Sequence, residues 1–134
     1  MRLLLDTHII LWAMNDNPKL SQDAKNLIKD DTNEVFYSTA SVWEVQIKHM
    51  SRPDKMKTDG MQLSQTCQNM GFLMLPICDN HVFLLNSLQR SADFPEHNDP
   101  LDRILLAQAK AEGMFFMTHD SKIPGYHEDC VLLV

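Results

Sequence analysis

Leu3-Leu4-Leu5-Asp6-Thr7-His8 is the stretch on which the reading of this chain turns. Three leucines in a row, cut off by a carboxylate, read as a short strand covered on both faces. Continuous apolar runs of that kind belong to parallel sheets flanked by helices. An open α/β sheet gathers the carboxyl ends of its strands into one crevice, and Asp6 would stand at that edge. The plain alternative is a strand-end turn with no chemistry attached.

Outward from this stretch, apolar runs alternate with helical patterns. Ile9 to Met14 carries an apolar helical pattern that Asn15, Asn17 and Pro18 break. Ser21 caps a following helix, with Asp23 in its first turn and Ala24, Leu27 and Ile28 on its apolar face. Val35-Phe36-Tyr37 is a second strand, and Ser41 to Met50 a helix with Trp43, Ile47 and Met50 on one stripe. Residues 51–60 read as a polar loop or short extension. Met61 to Met70 is a helix stopped by Gly71. Phe72 to Ile77 is a third strand whose pairing weakens at Pro76. Asp79 would cap a helix carrying Val82, Leu85 and Leu88, and Ser91 to Asn98 is a polar connection. Asp99-Pro100 opens a helix that Gly113 ends. Met114 to Met117 and Val131 to Val134 are the last two strands. Strands alternating with helices predict a parallel sheet with helices on both faces.

Four carboxylates stand at or just past the ends of these elements: Asp6, Glu44, Asp102 and Asp120. Gathered at one edge they would repel, a pair 4 Å apart by roughly 4 kcal/mol at an effective dielectric of ~20. A hard divalent cation offsets such repulsion. Oxygen ligands without a Cys/His cluster point to Mg²⁺, with Mn²⁺ able to substitute. Each acid has an ordinary alternative. Ser41-x-x-Glu44 is a capping box that would use both residues on the backbone. Asp99 reads as a helix cap, three residues before Asp102, and both could touch a metal or its waters. Thr7 could meet a phosphate or orient a ligand water, Thr118 could support Asp120, and Arg103 could pair with a carboxylate or a phosphate or simply be solvated. His119 reads as structural or surface.

The 134 residues, 44% hydrophobic, suit one domain with a real core. A net charge of −6 argues against broad non-specific attraction to nucleic acid. Cys67, Cys78 and Cys130, odd in number and widely spaced, read as reduced thiols of a cytoplasmic protein. Arg2–Met14 is too short and too interrupted to span a bilayer, so no membrane association is expected. The nine methionines suit adaptable packing or binding surfaces. Ile10, Leu11, Trp12 and Met14, or the Trp43 helix, are the expected partner-binding patches.

The runs Leu3-Leu4-Leu5-Asp6-Thr7-His8, Ser41-Val42-Trp43-Glu44-Val45, His97-Asn98-Asp99-Pro100-Leu101-Asp102-Arg103-Ile104-Leu105-Leu106-Ala107-Gln108-Ala109 and Thr118-His119-Asp120 together resemble the PIN-domain family. The nearest branch is similar to the VapC-type toxins of type II toxin–antitoxin systems. The resemblance covers nearly the whole chain, and Asp-Pro-Leu-Asp-Arg is its most specific piece. It implies a three-layer α/β/α domain over residues 1–134, with a central, mostly parallel sheet of about five strands. It implies a metal-dependent endoribonuclease whose acids map to Asp6, Glu44, Asp102 and Asp120, a small cognate antitoxin as partner, and a homodimer.

Rival readings are weaker. His119-Asp120 follows a strand, whereas phosphohydrolases of the HD type need the pair on a helix with further histidines. Haloacid-dehalogenase-like proteins need a second Asp where His8 stands, and receiver domains need an acidic pair near the start. A non-catalytic RNA- or protein-binding module is the alternative of a different class. Retention of four acids argues against it, because an RNA-binding surface favours Lys and Arg.

Overall fold

The structure, a computed structural model, describes residues 1–134. Five parallel strands form one sheet in the order β3-β2-β1-β4-β5, namely β1 (Arg2–Leu5), β2 (Glu34–Ser38), β3 (Leu73–Leu75), β4 (Phe115–Thr118) and β5 (Val131–Leu133). Six helices connect them: α1 (Thr7–Met14), α2 (Gln22–Lys29), α3 (Thr39–Ser51), α4 (Gly60–Asn69), α5 (Asp79–Phe83) and α6 (Pro100–Glu112).

The leucine run occupies the centre of the sheet and divides the core in two. Leu3 and Leu5 face one way, into a cluster with Ile9 and Ile10 of α1, Ala24 of α2, Val45 of α3 and Leu63 of α4. Leu4 faces the other way, against Leu105, Leu106 and Ala109 of α6, with Phe116. All three leucines are fully buried, and each contributes roughly 1.5–3 kcal/mol. This two-sided burial makes the three layers, and it accounts for the absence of alternation in the run.

The chain winds outward from β1 to β2 and β3, then returns through α6 to place β4 on the other flank of β1. The β1/β4 boundary is therefore the switch point of the sheet, where the crevice beyond the carboxyl ends opens. Asp6 lies at the end of β1 and Asp120 two residues past β4.

Local signals hold in several places. Ser21 caps α2 on the Ala24 N–H, and Asp99 caps α6 with Pro100 inside its first turn. Gly71 and Gly113 end α4 and α6 with φ of 83° and 65°, a region that an L side chain resists. Three expectations change. Only Leu73–Leu75 of the expected third strand pairs, because Pro76 has no N–H to continue the ladder. α5 is capped at Cys78 rather than Asp79, the Cys78 N–H donating to His81 Nδ1 at 3.1 Å. It gives way after Phe83 to a tighter turn over Leu84–Ser87, leaving Val82 exposed and Leu88 buried. α3 starts at Thr39, not Ser41, since the Ser38 hydroxyl accepts the Ala40 N–H at 2.9 Å directly at the end of β2.

Candidate metal centre

The early start of α3 removes the capping-box reading of Ser41 and Glu44. Glu44 falls in the second turn, 7% exposed, with its carboxylate turned away from the helix end. Its Oε1 accepts the Thr7 hydroxyl at 3.0 Å and its Oε2 the Lys48 ammonium at 2.6 Å. Ser41 meets the same Thr7 hydroxyl at 2.8 Å. Thr7 and Ser41 therefore hold Glu44 rather than facing open solvent.

Asp6 follows β1 directly and is the N-cap of α1. Its Oδ1 accepts the Thr7 N–H at 2.7 Å, and its Oδ2 accepts the Thr118 hydroxyl at 2.7 Å. The Thr118 oxygen in turn accepts the Asp120 N–H at 3.1 Å. Thr118 does support Asp120, through the backbone, while its proton goes to Asp6. One hydroxyl thus ties together the two strand ends at the switch point. Asp102 stands in the first turn of α6, beside the Asp99 cap. Asp99 is spent on the N–H groups of Leu101 and Asp102.

Sequence reasoning gave His97 no role. The structure sets its Nε2 3.2 Å from Asp102 Oδ2 and 3.9 Å from Asp120 Oδ2, while its Nδ1 lies 2.7 Å from the Tyr126 hydroxyl. The structure thus adds a histidine beside the acids that the sequence reading did not place there. Position gave no warning, because His97 sits in an irregular connection and meets Tyr126 only across 29 residues. Lys48 was also missed, although its spacing of four residues from Glu44 is a local signal. Arg103 finds neither carboxylate nor phosphate. It packs over the Tyr126 ring at 5.6 Å and reaches its hydroxyl at 3.4 Å.

Tyr126 is itself clamped. Arg90 lies over its ring at 4.6 Å, and Gly125 beside it has no room for a side chain. A Cβ there would come within 2.8 Å of Phe94 Cβ and Cγ. Gly125→Ala is expected to destabilise the fold by roughly 1–3 kcal/mol through this overpacking, read as a lower urea midpoint. An unchanged midpoint would mean that the segment around Phe94 yields freely.

Burial and like charge shape the electrostatics. Burial first, then the charges of Asp6, Asp99, Glu44 and Asp120, push the Asp102 carboxyl up to about 8. Burial also raises Asp6, against the hydrogen bonds from Thr118 and Thr7. Burial holds the His97 imidazole below its ordinary value. These directions favour a neutral Asp102–His97 contact over an ion pair. No lysine or arginine salt bridge reaches Asp102 or Asp120, and Lys48 is spent on Glu44. The donor set fits a hard divalent cation: convergent carboxylate oxygens, short of positive charge, with one of them carrying a proton that a cation would displace.

The cleft in front of Asp6 and Asp120 is lined by His8, Trp12 and His119. Trp12 links the two histidines, tilted against the His8 ring at 6.0 Å and edge-to-face with His119 at 5.1 Å. A second cluster, Cys78, His81 and Glu112, gathers between α5 and α6. There His81 Nδ1 accepts from the Cys78 N–H and the Gln108 amide, and Nε2 meets Glu112 at 2.8 Å. Both ring nitrogens are in use, so this cluster ties two helices together. All three cysteines are free thiols, and burial pushes Cys67 up to about 12.

Of the expected partner patches, Ile10 is excluded because it is fully buried against the sheet. The α3 stripe points outward, with Trp43 58%, Ile47 44% and Met50 74% exposed. No helix is long and apolar enough to cross a membrane.

The PIN domain family model matches residues 3–127. No curated protein matches the sequence. Solved structures of similar fold include VapBC2 from Rickettsia felis bound to a promoter DNA fragment, 18% identical with a TM-score of 0.68 over 100% of this chain and 98% of that one. A toxin-antitoxin complex from Klebsiella pneumoniae is 17% identical with a TM-score of 0.61 over 97% and 95% of the two chains. VapBC-1 from nontypeable Haemophilus influenzae is 17% identical with a TM-score of 0.59 over 91% and 89%. With the family model spanning nearly every element from β1 to the turn at Tyr126, this chain belongs to the PIN domain family.

Proposed function

We propose that this chain is a divalent-metal-dependent endoribonuclease, a single domain acting as the toxin of a type II toxin–antitoxin pair in the cytoplasm. The observation that carries the reading is the convergence of Asp6, Glu44, Asp102 and Asp120 at the switch point, with Asp102 pushed up to about 8 by burial and by its acidic neighbours. Asp6, Asp102 and Asp120 would hold Mg²⁺ or Mn²⁺, directly or through water. When bound, such a cation would supply a water of lowered pKa and Lewis-acid stabilisation of the charge developing on the phosphate.

The chain's own groups prepare the site. Thr7 and Thr118 fix the Asp6 oxygens before any ligand arrives. Glu44, held by Thr7 and Lys48, completes the acidic shell or orients the attacking water. The rings of His8, Trp12 and His119 beside Asp6 and Asp120 suit an unpaired base, which stacks on aromatic faces. A small antitoxin is the proposed partner, in keeping with similar structures that are toxin–antitoxin complexes. The outward stripe of Trp43, Ile47 and Met50 is the apolar surface we assign to it, and we take the assembly to be built on a homodimer.

In-line attack by water leaves a 5′-phosphate and a 3′-hydroxyl, and the ribose 2′-OH takes no part. Labelled RNA incubated with pure protein should be cut in Mg²⁺ or Mn²⁺, spared in EDTA, and should yield those ends. A 2′,3′-cyclic phosphate product, or cutting that persists in EDTA, would overturn the mechanism.

A further inference from the structure

We propose that His97 supplies a nitrogen donor to this centre through Nε2, making it a mixed nitrogen–oxygen site that prefers Mn²⁺ to Mg²⁺. This rests on the metal reading above and goes beyond it.

The argument begins with the proton on Tyr126. Its hydroxyl has one, and it donates to the His97 carbonyl at 3.2 Å, a group that can only accept. Arg103 donates to the same hydroxyl oxygen at 3.4 Å. With the tyrosine proton on that carbonyl, the 2.7 Å contact between the hydroxyl oxygen and Nδ1 is an Nδ1–H donating to the tyrosine. With Nδ1 protonated, the lone pair of the neutral ring sits on Nε2. That lone pair faces Asp102 and Asp120, whose oxygens are themselves acceptors when ionised. In the metal-free protein the Asp102 proton bridges to Nε2, and a cation that displaces it would meet three donor atoms turned on one place.

The spacing suits one ion. Two donors about 2.1 Å from a common cation and at right angles are ~3 Å apart. The observed 3.2 Å from Nε2 to Asp102 falls near that, and the 3.9 Å to Asp120 asks for a wider angle at the ion. The ligand atoms of His97, Asp102 and Asp120 all lie within 4.8 Å of one another. A ligating histidine nearly always donates its other ring N–H to a fixed partner, which sets the tautomer. Tyr126, 3% exposed and held between Arg90 and Arg103, is that partner. Imidazole nitrogen favours a transition-metal ion over Mg²⁺, which asks for oxygen.

The test is pulsed EPR on the Mn²⁺-loaded protein with ¹⁵N-labelled histidine, alongside Mn²⁺ and Mg²⁺ titration calorimetry. Coupling to a histidine nitrogen is expected. It should survive the double variant His8→Gln/His119→Gln, whose residues are exposed in the neighbouring cleft. It should vanish in His97→Gln, with Mn²⁺ affinity falling by ~10–100-fold and Mg²⁺ affinity far less. Should His97→Gln fail to fold, the wild type and the double variant still decide. Mn²⁺ binding that Asp102→Asn weakens, but without nitrogen coupling, would overturn the role of His97 and leave the carboxylate centre standing. Coupling lost in the double variant would also overturn it. Absence of Mn²⁺ binding would overturn both readings.

Discussion

Asp102→Asn should lower RNA cleavage by about 10³-fold and, in the same stroke, make the metal-free fold more stable. The carboxyl is 18% exposed and lies among Asp6, Asp99, Glu44 and Asp120, which with burial push it up to about 8. An amide has the same shape and no charge, and its N–H can donate to His97 Nε2 across the existing 3.2 Å contact. The sign follows from proton linkage. Between the ordinary value of 3.8 and about 8, the folded chain keeps a proton that the unfolded chain has released. Stability therefore falls as pH rises through that window. At neutral pH the penalty is on the order of 2–4 kcal/mol, and the variant does not carry it. Urea unfolding in EDTA at pH 5 and pH 8 reads this directly. The wild type should lose stability at the higher pH, and the difference between the two proteins should widen. Equal slopes would mean that Asp102 ionises freely and that the acids do not crowd one another.

What could be read in the sequence was whatever local chemistry determines. Leu3-Leu4-Leu5 declared a central strand because burial on both faces leaves no polar position in the run. α6 declared its ends because Asp99, Pro100 and Gly113 act within one turn of themselves. The start of α3 was ambiguous because Ser38, Thr39 and Ser41 can all cap. The choice fell to Ser38 because β2 runs straight into the helix. Trp43, Ile47 and Met50 share a stripe by spacing, yet the face that packs is Ala40, Ser41, Glu44 and Val45. Periodicity identifies a face and does not say which side of it meets the sheet. The positions of Asp6 and Asp120 could be anticipated from strand ends, whereas Glu44 and Asp102 ride on helices. The Thr118 link to Asp6, across 112 residues, and the His97–Tyr126 frame are products of packing that no short-range pattern encodes.

Asp6→Asn should abolish cleavage as fully as Asp102→Asn, about 10³-fold, but without the gain in stability. The two acids share a cluster and differ in what holds them. Asp6 accepts two donors at 2.7 Å, the Thr7 N–H on one oxygen and the Thr118 hydroxyl on the other. An asparagine has one oxygen, so its NH₂ must face one of those donors. Turned to Thr7, it opposes an N–H that has no freedom to move. Turned to Thr118, it meets an oxygen that already accepts from Asp120, and the threonine proton loses its acceptor. Either way the tie between β1 and the Asp120 loop is broken, at roughly 1–3 kcal/mol for a buried group left unpaired. That loss offsets the relief of repulsion, so the unfolding midpoint in EDTA should stay level or fall, while Asp102→Asn raises it. A matching rise in both variants would mean that charge alone governs the cluster and that the hydrogen bonds of Asp6 are incidental. Wild-type cleavage by Asp6→Asn in saturating Mg²⁺ would remove Asp6 from the site, and with it the assignment of the β1/β4 switch point as the place where RNA is cut.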